Sequence, residues 1–279
     1  MLIDGRLIAE DIKKDLKKKV LLLRNKNIIP HLAVVLVGVD PGSLVYIKQK
    51  EKIGEELGVK ISNIKFKILD RKEEIIKKIK SLNNDKSVHG IIIQRPVPLN
   101  IGKEELDRLV SPEKDVDGFH PDTRFTPPIA LAVLNILKYV SKSLKEPNFK
   151  NWLVKKKILV IGRGETAGLP IADYFKKTGI KITVAHSQTN NLKKLCSTAD
   201  IIVSCIGKPE IVRQDMVTNR TIIIGVGLHT EDGKLQADYN QQQIASKVAF
   251  YTPVPGGVGP VNVACLMENL VLASEGIPK

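Results

Sequence analysis

A hydroxyl, a phenol and an amine recur at helical spacing in the stretch from Gly38 to Lys50. Ser43, Tyr46 and Lys50 are three and then four residues apart, which sets them on one face of a helix. Such a face can bind a polar substrate and exchange protons with it, although three polar residues in a row are more commonly a solvated surface. Their setting strengthens the chemical reading. Leu32 to Val37 is an unbroken apolar run of strand length, Asp40 and Pro41 suit a helix start, and Gly58 suits its stop. The trio therefore follows the carboxyl end of a buried strand.

Two further groups could share that site. An apolar run from Gly90 ends at Gln94, where Pro96 and Pro98 forbid a continuing strand. Gln94 is a plain loop contact unless it stands where the Lys50 helix begins. Asp115 and Asp117 flank a valine in an irregular segment and are expected to present their carboxylates outward. Two acids without a third ligand make a poor cation site, so no metal is expected. The alternative is a carboxylate that anchors an N–H-rich heterocycle.

A different chemistry is written in the second half. Gly162, Gly164 and Gly168 lie between an apolar strand over 157–161 and a helix running to Thr178, with another strand over 181–185. That is a βαβ unit with a glycine-rich first turn, the setting a dinucleotide pyrophosphate needs. Where an NAD site would present an acid, this chain has His186 and Ser187; with Arg163 nearby, the pattern favours a 2′-phosphate and hence NADP over NAD. Thr166 lies in the same turn. Two more strands end at Gly207 and at Gly225 to Gly227, where a cofactor can approach the backbone. The run Thr252 to Pro260, with Pro255, Gly256 and Gly259, is dense in turn-formers and suited to line a site.

The elements needed to position these residues alternate. Helices are expected over 8–23, 73–82, 106–110, 126–139 and 261–274, and further strands over 59–68 and 248–251. Strands alternating with helices imply parallel sheets, with ligands beyond the strands' carboxyl ends. At 279 residues the chain can form two domains, and 43% hydrophobic with 27% charged residues is an ordinary globular balance. No apolar run is long enough to span a bilayer, and residues 1–10 do not read as a signal peptide, so no membrane is expected. Cys196, Cys205 and Cys265 share no metal-ligand spacing and read as reduced core thiols of a cytoplasmic protein. The net charge of +14 raises nucleic-acid binding, but aromatic residues are only 4% and the lysines sit on helical faces. No nucleic-acid partner is expected. A positive field suited to small polyanions remains.

Taken together, these motifs resemble the methylenetetrahydrofolate dehydrogenase/methenyltetrahydrofolate cyclohydrolase family along nearly the full length. The carrying segments are Val-Gly-Val-Asp-Pro-Gly-Ser43-Leu-Val-Tyr46-Ile-Lys-Gln-Lys50, Gly90-Ile-Ile-Ile-Gln94-Arg-Pro and Lys114-Asp-Val-Asp117-Gly-Phe-His. Ile161-Gly-Arg163 with Gly168-Leu-Pro170, and Thr252-Pro-Val-Pro255-Gly-Gly-Val-Gly-Pro260, complete the set. The resemblance implies an α/β protein with a catalytic folate domain over 1–122, completed by a C-terminal helix over 261–279. A Rossmann-like NADP domain over 123–260 would leave a cleft for folate between the two. It implies a homodimer of one-carbon metabolism that supplies purine biosynthesis. By resemblance Lys50 is the key group for hydrolysis, Gln94 assists it, Tyr46 orients the folate and Asp117 holds the pterin's amino groups. Ser43 and the loop carrying Pro255, Gly256 and Gly259 border the substrate. Arg163 and Ser187 match positions that receive the 2′-phosphate.

Several residues depart from the family's usual pattern. Phe125 stands at a cysteine's place in a shortened segment, Gly164 replaces a serine, Gly225 an aspartate, Asn262 a threonine and Arg95 a leucine. Most lie on the cofactor side, so a cyclohydrolase with a weak or lost dehydrogenase is the alternative expectation.

Overall fold

The computed structural model describes residues 1–38 and 41–276, leaving aside the side chains of residues 41–46. Asp40, expected to cap a helix, lies outside the described residues. The first half of the chain runs α1 (Gly5–Asn25), β1 (His31–Val37), α2 (Pro41–Leu57), β2 (Lys60–Phe66), α3 (Lys72–Asn84), β3 (Gly90–Ile93) and α4 (Lys103–Asp107). Then come α5 (Pro128–Ser143), α6 (Phe149–Val154), β4 (Ile158–Ile161), α7 (Gly168–Lys177), β5 (Ile182–Ala185), α8 (Leu192–Thr198) and β6 (Ile201–Ser204). A 3-10 turn at Gln214–Met216 leads to β7 (Ile222–Gly225), β8 (Leu228–Glu231), β9 (Lys234–Ala237), α9 (Gln241–Ala245), β10 (Phe250–Tyr251) and α10 (Val258–Ser274).

The chain forms two compact units, one of Asp11–Pro128 with Val263–Lys279, the other of Met1–Glu10 with Ile129–Asn262. In the first, β1 is the centre of a parallel sheet of order β2-β1-β3. All seven of its residues are buried, which is why its sequence is continuously apolar rather than alternating. Leu32, Val34 and Leu36 pack with α1, α2 and α10, including Leu16, Ile47, Leu266 and Leu270. Ala33, Val35 and Val37 face the opposite side with Ile75, Ile79 and Leu106, as the two-residue period of a strand requires. Phe125, at the family's cysteine position, is a buried member of the first of these clusters.

The second unit holds a parallel sheet of order β10-β7-β6-β4-β5. Its first strand, β4, has β5 on one side and β6 on the other, so the winding direction reverses there. In open α/β sheets ligands bind outside the carboxyl ends at that reversal. The antiparallel pair β8 and β9 was not expected from periodicity. Its signal was nonetheless present: Asp232 and Gly233, at φ 49° and 73°, form the two-residue turn that joins Glu231 to Lys234.

Among the element boundaries that differ from expectation, three have a direct physical reason. The short helix α4 lies at 103–107 rather than 106–110, because Glu104 and Glu105 favour its first turn and Leu106 is its buried anchor. Helix α7 starts only at Gly168, since Gly162 at φ 109° cannot open a helix and residues 163–167 remain a turn. Helix α10 begins at Val258, so Gly259 and Pro260 belong to its first turn, where a missing N–H is tolerated. Among the described residues no helix is long and apolar enough to cross a membrane.

Gly168 shows how tightly the α7 start is seated. A Cβ there would lie 2.2 Å from the carbonyl oxygen of Gly162, and backbone cannot yield as a side chain can. Gly168→Ala is therefore expected to destabilise the second unit by about 3 kcal/mol, near the upper end of overpacking costs. Urea unfolding followed through Trp152, the chain's one tryptophan and a buried residue of that unit, measures it; an unchanged midpoint would refute the packing argument.

Candidate functional site

Lys50 lies on α2 and is only 7% exposed. Its Nζ donates a 2.7 Å hydrogen bond to Oε1 of Gln94. Gln94 follows directly on β3, and its backbone N–H donates to the carbonyl of Val35 on β1. Its side-chain Nε2 donates in turn to the carbonyl of Arg95 at 3.3 Å. Gln94 thus meets α2 at Lys50, not at the helix start as the sequence suggested. Burial pushes the Lys50 amine below the usual lysine range, while Asp117 works in the opposite direction. Near neutral pH such an amine can give up a proton more readily than a solvated one.

The expectation that Asp115 and Asp117 point outward is incorrect. Asp115 is buried, and Asp117 is half-buried. Asp115 accepts the backbone N–H of His120 at 2.6 Å and organises the turn that follows it. Burial raises its carboxyl to about 7 against the opposing backbone hydrogen bonds, with Asp117 adding to the rise. Burial likewise raises Asp117, and Lys50 and Arg95 draw it back down. An irregular loop can turn its acids inward when backbone donors and nearby cations receive them, which local sequence does not reveal. The segment is held to α10 by Asn269, whose Nδ2 donates to the carbonyls of Val116 and Thr126 at 2.9 Å each. Neither Asn269 nor this restraint was legible in the motifs. Ser43 and Tyr46 lie on α2, but their side chains are outside the described residues.

In the other unit, Gly162 and Arg163 follow β4, and Ser187 follows β5 by two residues. Ile161 and Ala185 are register partners, and the Gly162 N–H donates to the Ala185 carbonyl at 2.8 Å. Arg163 and Ser187 therefore emerge at the same sheet end, both exposed. Gly164 and Thr166 are exposed in the intervening turn, and nothing lies within 4 Å of where a Gly164 Cβ would be. Gly207 and Gly227 follow β6 and β7 and pack so closely that a Cβ on Gly227 would lie 2.4 Å from the Gly207 nitrogen. These backbones form a glycine-lined edge of the kind a dinucleotide can approach closely.

Sequence reasoning missed the group that shapes this edge. Asp238, fully buried, accepts hydrogen bonds from the Ser204 hydroxyl at 2.6 Å and from the N–H groups of Ile206, Gly207 and Lys208 at 2.9, 2.7 and 3.0 Å. Gly207 therefore offers its close backbone approach with its N–H already turned inward. Gly225, in place of aspartate, leaves room for Tyr239: a Cβ there would lie 2.8 Å from the Tyr239 hydroxyl, which donates to the Thr252 carbonyl at 2.5 Å. The loop carrying Pro255 and Gly256 is tied by Gln241, which donates to the carbonyl and accepts from the N–H of Val254 at 2.8 and 2.9 Å. The Gly5 N–H donates to the Gly256 carbonyl at 2.9 Å. Among the described residues, no group of three or more His, Cys, Asp or Glu side chains could hold a metal.

Two family models cover the chain: the tetrahydrofolate dehydrogenase/cyclohydrolase catalytic domain over residues 3–117 and the NAD(P)-binding domain of the same family over residues 130–277. The bifunctional protein FolD of Ligilactobacillus salivarius is 36% identical over 281 residues, covering 98% of this chain and 96% of that protein. A crystal structure of bifunctional FolD from Campylobacter jejuni superposes with a TM-score of 0.89 at 34% identity, covering 99% of this chain and 98% of that one. The Trypanosoma brucei dehydrogenase-cyclohydrolase, solved with NADP cofactor and inhibitor, gives 0.86 at 28% identity over 99% and 97% of the two chains.

Asp238→Ala removes the acceptor of three backbone N–H groups. Amide hydrogen exchange at Gly207 and Lys208 is expected to accelerate by about tenfold or more, the effect of losing about 1.4 kcal/mol of local restraint. Unchanged protection at both amides would remove Asp238 as the organiser of this loop.

Proposed function

The chain belongs to the tetrahydrofolate dehydrogenase/cyclohydrolase family, and we propose that it carries both activities of that family. It oxidises 5,10-methylenetetrahydrofolate to 5,10-methenyltetrahydrofolate with NADP and hydrolyses that product to 10-formyltetrahydrofolate. The observation that carries the hydrolytic half is the 2.7 Å contact between a buried Lys50 and Gln94 with Asp117 as the electrostatic counterweight. The names borne by the relatives and solved structures give no support to a hydrolase that has lost its dehydrogenase.

The residues divide the work as follows in this reading. Hydride leaves a methylene carbon flanked by two nitrogens, and the cation that results is stabilised by them. The protein's task in that step is alignment of donor and acceptor, and NADP supplies the acceptor ring. Gly162, Gly164, Thr166, Gly207 and Gly227 let the pyrophosphate and nicotinamide side approach the backbone, and Arg163 with Ser187 receives the 2′-phosphate. The absence of an acid after β5 supports NADP over NAD. Water then attacks the methenyl carbon, a step with proton transfers. Lys50, with its proton affinity lowered by burial, takes up and returns the proton. Gln94 holds the amine through its carbonyl oxygen without adding charge. Asp117 accepts from the pterin N–H groups and fixes the ring. Tyr46, Ser43, the loop with Pro255 and Gly256, and Gly259 at the start of α10 border the folate. The unit of residues 11–128 and 263–279 carries the hydrolytic groups, and that of 1–10 and 129–262 the cofactor. Family likeness further supports a cytoplasmic homodimer that feeds purine biosynthesis.

Absorbance-followed oxidation of methylenetetrahydrofolate with NADP and NAD in parallel tests the first half: NADP-preferred turnover is expected, and no turnover with either would defeat it. Lys50→Met is expected to lower hydrolysis of added methenyltetrahydrofolate by about 10²-fold or more. In the unaltered protein this rate should rise with pH as the Lys50 ammonium loses its proton, and level off below the ordinary lysine range. The direction follows from the need for neutral amine, whose fraction grows with pH. A rate independent of both Lys50 and pH would assign the base elsewhere.

A further inference from the structure

Arg95 occupies a position where leucine is usual in this family, next in sequence to Gln94. It does not extend into solvent. Its guanidinium pairs with Asp107 of α4, both side chains being 6% exposed, and lies over the Phe119 ring with its carbon 4.2 Å from the centroid. Lys103, one turn before Asp107 on α4, pairs with the same carboxylate. Phe119 is two residues beyond Asp117, in the turn organised by Asp115. The charged groups acting on Asp117 thus come from three places: Lys50 on α2, Arg95 after β3, and Asp115 in its own turn.

This arrangement solves a problem inherent in the reaction read above. If Lys50 is to act as a base it must become neutral, and Asp117 then loses that cation at the moment it must stay ionised to hold the substrate. Burial already raises the Asp117 carboxyl, and losing a nearby cation raises it further. A guanidinium cannot be deprotonated at any working pH. We propose that Arg95, clamped between Asp107 and Phe119, is a positioning residue for this reaction: a permanent cation that keeps Asp117 anionic through the proton cycle of Lys50. Asp107 fixes where that charge sits, and the Phe119 ring ties it to the turn that carries Asp117. The proposal rests on the roles assigned to Lys50 and Asp117 above.

The test is the pH dependence of kcat/KM for methylenetetrahydrofolate oxidation between pH 5 and 8, a reaction that needs Asp117 to hold folate. Arg95→Gln removes the cation while keeping a donor for Asp107, which stays paired with Lys103. Its acid limb is expected to move up by about one pH unit, with KM at pH 6 raised about tenfold, the scale of losing one nearby opposite charge. Arg95→Leu/Asp107→Asn, which removes the cation together with its counter-ion, should give a smaller shift in the same direction. Arg95→Lys, which keeps the charge, should retain the wild-type limb. A wild-type limb in the neutral variants, or an equal loss at every pH that lysine does not rescue, would overturn the proposal while leaving the enzyme assignment intact. Absence of turnover in the unaltered protein would overturn both.

Discussion

Burying an amine is costly, and the first unit is built around doing so at Lys50. Removing a charge from water disfavours it by several kcal/mol before partners are counted, so the surroundings decide whether the side chain stays as an ammonium or as an amine. Here one neighbour is neutral and one is anionic. Gln94 accepts one hydrogen bond from Nζ, while Asp117 favours the charged form. The balance leaves the amine easier to deprotonate than in water but still able to hold a proton. The rest of the unit maintains that balance: β1 and β3 set the height of Gln94, and Asn269 on α10 fixes the segment that carries Asp117.

The second unit meets a different requirement, close approach to backbone. Its solution is to leave out side chains where strands end and to spend one buried carboxylate on shaping the loop. Gly162, Gly207 and Gly227 remove bulk, and Asp238 then holds the amides of 206–208 in one arrangement. A glycine loop without such an anchor would have more conformational freedom to lose on binding. Asp238 and the glycines are therefore two halves of one device.

The departures from the family pattern find their reasons in packing. Phe125 joins the core beside Val116 and Leu270 where a shorter segment must still cover α10. Gly225 yields its space to Tyr239, whose hydroxyl reaches the Thr252 carbonyl and steadies the strand end that leads into the Pro/Gly loop. Arg95 arrives with its own counter-ion, Asp107, and its own aromatic platform, Phe119. Gly164 and Asn262 are the exceptions: nothing lies within 4 Å of where a Gly164 Cβ would be, the Asn262 Oδ1 is buried without a hydrogen-bond partner, and nothing in the structure explains either residue.

Much of this was decided by residue order. The continuous apolar run of β1, the proline stop after Gln94, the glycine turn after β4 and the missing acid after β5 are local features, and their physics acts over a few residues. They determined the parallel sheets, the site motifs and the expected chemistry. The tertiary structure decided what depends on groups distant in the chain. Lys50 meets Gln94 across 44 residues. Asn269 reaches back 153 residues to Val116, and Asp238 reaches some 30 residues back to the loop it holds. The inward turn of Asp115 and Asp117 belongs to the same class, because a polar residue's burial is set by the partners that receive it, and those partners carry no mark in the local sequence.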